Sequence, residues 1–235
     1  MRENILFTSA GDNTKFYDLW CTDNRNYDIF ICYYGDDDTT TDKYKEYSDF
    51  YIKRKGSKIQ NFYYIWQNNI GNIKDYKFFY IVDDDIIIKT EQINELFKLF
   101  RELDAWILQP SFTDTENSKI SHGITKQNTN FKYRFTNFIE INTPFFSNYA
   151  ISKCMNNYNP LLTGYGIDIL FLYTLGLERE NKYVIVDYIS CINPTKDDSE
   201  IDKLQSLPIR FNTWKTIQKS LKLNDIIHKN FSTVK

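Results

Sequence analysis

The chain is poor in the residues from which several familiar sites are built. Its 4 cysteines, Cys21, Cys32, Cys154 and Cys191, are scattered, with no Cys-x-x-Cys pair. That spacing argues against a zinc module and fits free thiols in a reducing compartment. Only 2 histidines occur, one of them His122, and no Ser-His-Asp order stands out. There is no Gly-x-x-x-x-Gly-Lys loop, so a P-loop nucleotide site is excluded. No stretch reaches the roughly 18 apolar residues of a membrane span, and the apolar run within residues 1–7 is too short for a signal peptide. A net charge of −2 gives no electrostatic footing for nucleic acid. No internal repeat or low-complexity tract appears. The expectation is a protein of the cytoplasm that engages neither nucleic acid nor the bilayer interior.

What the chain does hold is apolar and aromatic, 42% and 17% respectively, across 235 residues. That suffices for one α/β domain over residues 1–235, with 196–235 as a helical extension. The organising stretch is residues 76–88. Phe78, Phe79, Tyr80, Ile81 and Val82 carry no charge, and Asp83, Asp84 and Asp85 follow at once. The run reads as a strand buried on both faces. Three adjacent anions repel one another, and a hard divalent cation such as Mn²⁺ or Mg²⁺ compensates them through oxygen ligands. Residues two apart on an extended strand are roughly 6.6 Å apart. Either the chain turns at Asp84, or one carboxylate binds the ion while the other holds a metal-bound water or a ribose hydroxyl. Asp85 is the candidate direct ligand, Asp83 the nucleotide-side partner, and Asp84 the least certain.

Upstream, Ile5, Leu6 and Phe7 form a first strand that ends in a small, polar loop. Ser9, Gly11 and Asp12 lie where open α/β sheets bind ligands, beyond a strand's carboxyl end. Asp12 or Asn13 capping the next helix is the alternative. A second strand over residues 27–34 leads to Gly35 and a second aspartate triplet, Asp36, Asp37 and Asp38, read as a solvated loop with no immediate helix. Tyr34 and Asp36 are candidates to face a base or ribose. Lys58 opens a helix over residues 58–68, where its charge opposes the helix dipole unless an anion such as a diphosphate lies near.

Downstream, Thr90 is placed as the N-cap of an amphipathic helix carrying Ile93, Leu96, Phe97, Phe100 and Leu103. A strand over 105–108 is expected to stop at Gln109-Pro110. Residues 111–136 read as a long loop, a candidate lid over a sugar or acceptor. Residues 137–142 alternate like a strand around Glu140, and a helix follows over 147–156. Asp168 opens an apolar helix after Gly164 and Gly166, as a cap or as a catalytic carboxylate. A late strand spans 182–189, and the tail adds two short helices. The strand–helix alternation predicts an α/β, Rossmann-like fold with a mostly parallel central sheet flanked by helices. An Asp-x-Asp at the end of such a strand suits a nucleotide-sugar transferase, where the metal meets the departing diphosphate. A haloacid-dehalogenase-like phosphatase fits poorly, because Ile87 stands where that motif wants Thr or Val and the strand is not the first.

Seven short motifs then fall in a familiar order: Phe7-Thr8-Ser9-Ala10-Gly11-Asp12, Tyr33-Tyr34-Gly35-Asp36, Gly56-Ser57-Lys58, Val82-Asp83-Asp84-Asp85, Phe138-Ile139-Glu140-Ile141, Gly164-Tyr165-Gly166-Ile167-Asp168 and Val186-Asp187. Together, over about residues 5–195, they resemble the small GT-A-type glycosyltransferases encoded by large DNA viruses of algae, and a related uncharacterised family of plants and bacteria. The resemblance implies a GT-A fold, a UDP-linked sugar donor, Mn²⁺ or Mg²⁺ at Asp83 and Asp85, and a glycan or glycoprotein acceptor. It also implies a role in building capsid glycans, in host cytoplasm. Relatives carry a metal-binding histidine shortly after the Val-Asp pair; the matching residue here is Asn193. For an inverting reaction Asp168 is the first candidate base and Glu140 the second, or Glu140 orients the sugar or acceptor. Two other readings stand beside this one: a non-catalytic nucleotide-sugar or glycan-binding module, and a nucleotidyltransferase of similar fold.

Overall fold

A computed structural model describes residues 2–12, 14, 16–195 and 200–235. Its strands are β1 (Asn4–Ala10), β2 (Asp28–Tyr33), β3 (Phe50–Lys53), β4 (Phe78–Ile81), β5 (Ile107–Phe112), β6 (Tyr133–Thr136), β7 (Phe145–Ser147), β8 (Tyr183–Cys191) and β9 (Asn230–Val234). They form one 9-stranded sheet in the order β3-β2-β1-β4-β7-β5-β8-β6-β9. β3, β2, β1 and β4 are mutually parallel, as are β5 and β8. β7 runs against both β4 and β5, and β6 against both β8 and β9. All strands except β6 and β7 therefore point the same way. Among the described residues eight α-helices join them: α1 (Phe16–Leu19), α2 (Asp38–Glu46), α3 (Lys58–Gln67), α4 (Thr90–Leu103), α5 (Asn148–Asn157), α6 (Ile167–Leu175), α7 (Glu200–Leu204) and α8 (Leu207–Ser220).

The uncharged strands are buried on both faces because two cores exist, one per face of the sheet. Ile5, Phe7, Phe79 and Ile81 point to one side, against Phe62 of α3, Ile151 of α5, Phe171 of α6 and Trp214 of α8. Leu6, Tyr80 and Val82 point to the other, against Phe16 of α1, Tyr44 of α2, and Leu96, Phe97 and Phe100 of α4. Alternate residues of one strand thus feed separate cores, which is why β1 and β4 read as continuous apolar runs rather than amphipathic ones. Among the described residues no helix is long and apolar enough to cross a membrane.

Several local expectations are corrected. The second aspartate triplet starts a helix: Asp37 caps α2, its carboxylate accepting from the Thr39 amide (3.0 Å) and from the Thr40 hydroxyl (2.7 Å). The acid strand is the fourth in sequence, because residues 50–53 also pair into the sheet. Thr90 lies inside α4, after an N-cap at Lys89, and donates its hydroxyl to the Leu19 carbonyl (3.1 Å). β5 passes through Pro110 to Phe112; a register shift between Pro110 and Ser111 absorbs the missing N–H. Residues 137–142 form no strand, since their backbone groups are taken by side chains: the Glu140 amide donates to Gln109 Oε1 (2.6 Å) and the Ile141 carbonyl accepts from Lys58 (2.6 Å). Beyond its two helices the tail adds β9 to the sheet.

β7 is three residues long yet joins the two parallel regions. Its Phe145 is fully buried, stacked on Tyr80 at 3.9 Å and edge-on to Phe97 at 4.9 Å. Phe145→Ala is expected to cost about 3–5 kcal/mol, from lost burial and the cavity left behind. A urea midpoint close to wild type would show that this contact does not brace the joint.

Candidate active site

The chain leaves β4 and turns at once. The Ile86 amide donates to the Asp83 carbonyl (3.3 Å), and the Asp83 amide to the Asn142 carbonyl (2.9 Å). The turn aims the three carboxylates differently. Asp84 reaches back to the loop after β1, where its Oδ2 accepts from the Gly11 amide (2.9 Å) and its carbonyl from the Thr14 hydroxyl (2.6 Å). Asp83 accepts from the Lys58 ammonium at 2.7 Å. Asp85 is half-buried just before an isolated bridge in which Ile87 and Ile192 exchange backbone hydrogen bonds of 2.9 and 3.1 Å. That bridge brings the buried Asn193 alongside the turn.

Lys58 does not project toward solvent. Its side chain is 10% exposed, and Nζ donates to the carbonyls of Ile141 (2.6 Å) and Asn142 (3.1 Å) as well as to Asp83. Burial holds its pKa below the usual lysine value, against the opposing pull of Asp83, Asp85 and Asp84. One ammonium faces three carboxylates, so the turn keeps an excess of negative charge. Its donors are hard oxygens, which fit Mn²⁺ or Mg²⁺ and not a soft metal. Among the described residues no three His, Cys, Asp or Glu side chains converge as a preformed cage. A hard ion held by few protein oxygens leaves positions for ligand oxygens, so the donor set fits such an ion.

The neighbouring loop is built around close approaches. A Cβ on Gly11 would lie 2.7 Å from the Tyr34 hydroxyl, so only glycine admits that ring against the backbone. The Gly11 carbonyl accepts from the Tyr44 hydroxyl (2.7 Å), and Ser9 Oγ accepts from the side-chain Nδ2 of the wholly buried Asn61 (3.0 Å). Asp12 accepts from the Tyr33 hydroxyl. The capping alternative goes elsewhere: the Phe16 amide donates to Thr14 Oγ1 (3.4 Å), while Asn13 falls outside the described residues. Asp36 is exposed and paired with Lys55 at 2.8 Å.

Glu140 lies near enough to Asp83 of the turn and to Asp168 for both charges to act on it. Gly166, at φ 85°, caps α6, and a Cβ there would collide with the indole of Trp214. Asp168 follows in the first turn, half-buried, with Oδ1 accepting from the Ile169 amide (2.9 Å). Burial pushes its carboxyl up to about 6. Glu140 is 3% exposed, and burial pushes it up to about 7, opposed by the Thr125 hydroxyl (2.8 Å) and reinforced by the charges of Asp168 and Asp83. Charges from the β4 turn and from α6 thus meet at Glu140, and burial raises both the Glu140 and Asp168 carboxyls toward neutral pH. Asn61, Gln109 and Thr125, which hold this arrangement, carry no motif. The sole sequence signal is a polar Gln109 closing an apolar run.

No protein-family model and no curated protein sequence matches the chain. Solved structures do. Residues 1–349 of S. aureus TarS in complex with UDP-GlcNAc align at a TM-score of 0.63 and 12% identity, over 97% of this chain and 68% of that one. The same piece in complex with UDP aligns at 0.53 and 10%, over 95% and 76%. Against the longer S. aureus TarS structure the score is 0.55 at 12% identity, and this chain spans 46% of its length. The fold is α/β and GT-A-like, with helices on both faces of a mixed sheet, and it is the fold these structures share.

Glu140 binds its proton more tightly folded than unfolded, so stability falls as pH rises from its ordinary 4.5 through about 7. In metal-free protein at pH 8, Glu140→Gln is therefore expected to stabilise the fold, by up to about 3 kcal/mol, with the gain vanishing near pH 4. Equal denaturation midpoints of variant and wild type at pH 8 would contradict the burial argument.

Proposed function

We propose that the protein is a metal-dependent glycosyltransferase that moves a sugar from a nucleotide-sugar, UDP-linked donor to a hydroxyl of a glycan or protein-linked glycan. The observation that carries this reading is the meeting of the β4 acid turn with Glu140 and Asp168 at one end of a GT-A sheet. Structures of that fold bound to UDP and UDP-GlcNAc support the donor class.

In this reading Asp85 holds Mn²⁺ or Mg²⁺, with Asp83 beside it and Asn193 as the third oxygen donor. A bound divalent ion supplies charge neutralisation for the departing diphosphate. Ser9, Gly11, Asp12 and Tyr34 line the nucleotide side, and Asp36 stands at its rim. Lys58 acts through Asp83, holding that carboxylate toward the donor, and not as a direct diphosphate ligand. Asp168 takes the proton of the attacking hydroxyl, and its neutral-range pKa suits that task. Glu140 orients sugar or acceptor. Capsid glycans as acceptors follow from the family resemblance and form part of the proposal.

The donor assignment is tested with Mn²⁺ and a panel of UDP-sugars. Release of UDP is expected from at least one, and Asp85→Ala should abolish metal-dependent UDP binding in calorimetry. Failure of every donor, with or without acceptors, would leave a nucleotide-sugar-binding module; pyrophosphate from an NTP would mark a nucleotidyltransferase. Asp168→Asn should keep donor affinity while transfer falls about 10²–10⁴-fold, the usual worth of a positioned base. Turnover near wild type would reduce Asp168 to a helix cap.

A further inference from the structure

The Val186-Asp187 motif has an unexpected partner. Asp187 on β8 and Arg134 on β6 are side chains 0% and 5% exposed, joined by a two-point contact, Nε to Oδ2 at 2.7 Å and Nη2 to Oδ1 at 2.9 Å. The guanidinium also grips the chain facing it. Nη1 donates to the Ile124 carbonyl (2.9 Å) and Nη2 to the Lys126 carbonyl (3.0 Å), the two carbonyls that flank Thr125. Asp187 takes up the continuation, accepting from the Asn128 amide (2.9 Å), and its own carbonyl accepts from Gln127 (2.8 Å). A buried ion pair is a poor device for net stability compared with apolar packing. Its fork geometry is a good device for fixing one residue.

That residue is Thr125, itself fully buried, whose hydroxyl oxygen is 2.8 Å from the His122 carbonyl and 2.8 Å from Glu140 Oε1. A hydroxyl has one proton to give. A carbonyl can only accept; a carboxyl accepts when ionised and donates when neutral. With Glu140 ionised, the threonine proton turns to the carboxylate. With Glu140 neutral, Glu140 donates to Thr125 and Thr125 donates to the His122 carbonyl. Both protonation states are bonded without any heavy atom moving.

We propose that Thr125, locked by the Arg134–Asp187 pair, is the positioning residue that holds Glu140 in the site and lets it gain or lose a proton in place. Other titratable groups face Glu140: Asp168 from α6, Asp83 with its Lys58 from the end of β4, and the uncharged Cys191 thiol at the end of β8. Changing Thr125 leaves all of them in place, so the effect of the one hydroxyl can be isolated. The inference rests on the glycosyltransferase reading only for its kinetic consequence.

The test is a pH titration of ¹³C-glutamate-labelled, metal-free protein, reading the Glu140 carboxyl by NMR with Glu140→Gln to assign it. Thr125→Val removes the hydroxyl with little change in volume and should move the Glu140 midpoint upward by about one pH unit. Thr125→Ser should restore it, and Arg134→Lys, which keeps charge but loses the fork, should move it upward too. A Thr125→Val midpoint equal to wild type overturns the inference, as does a Thr125→Ser midpoint matching that of the valine variant. In the kinetic arm Thr125→Val should lower kcat and shift the pH profile in step with the midpoint. A wild-type protein that releases no UDP defeats the glycosyltransferase reading, while the titration still decides the role of Thr125.

Discussion

One buried ammonium sets the geometry on which the candidate site depends. Lys58 enters from the first turn of α3 and ties together the acid turn after β4 and the irregular segment before β7. An unpaired ammonium so far from water would be costly. Its contacts with Asp83 and with the Ile141 and Asn142 carbonyls offset that cost while easing part of the repulsion among the half-buried aspartates. The segment that carries Glu140 is thereby anchored at one end by Lys58 and at the other by hydrogen bonds between Asn137 and the chain at Lys229 and Ile227.

The same electrostatics set function against stability. Glu140 is buried and Asp168 half-buried, and burial makes the ionisation of both unfavourable. Such strain persists where the surrounding structure over-determines it. Here the over-determination is visible in side chains with no reactive role: Gln109, whose carboxamide accepts from the Glu140 amide, and Thr125, which meets its carboxyl.

Much of this was legible from residues alone. Period and composition place β1, β2, β4 and the helices carrying Phe62, Leu96 and Leu170, because each buries a face whose spacing matches its structure. The acid turn was legible as well, since three aspartates after an uncharged strand repel one another unless a cation meets them. What escaped is what depends on distant partners. Residues 137–142 alternate like a strand, but a strand needs a neighbour, and none can be read locally. Pro110 signals a stop in isolation, but a bulge against β8 overrides it. Lys58 resembles an anion ligand until the carboxylate from residue 83 is seen beside it. Arg134 and Asp187 are 53 positions apart, and nothing in either neighbourhood announces the pair.

Gly166 and Trp214 form a lock that accepts one key. A side chain at 166 would evict the indole, and a smaller ring at 214 would leave a void beneath the turn that launches Asp168. Glycine at 166 is held there twice over, by the left-handed backbone and by the indole packed against it. The pair therefore offers a mark for sorting distant relatives: chains that keep both have kept the same launch of α6, whereas chains that share only the nine-stranded sheet need not begin that helix in the same way.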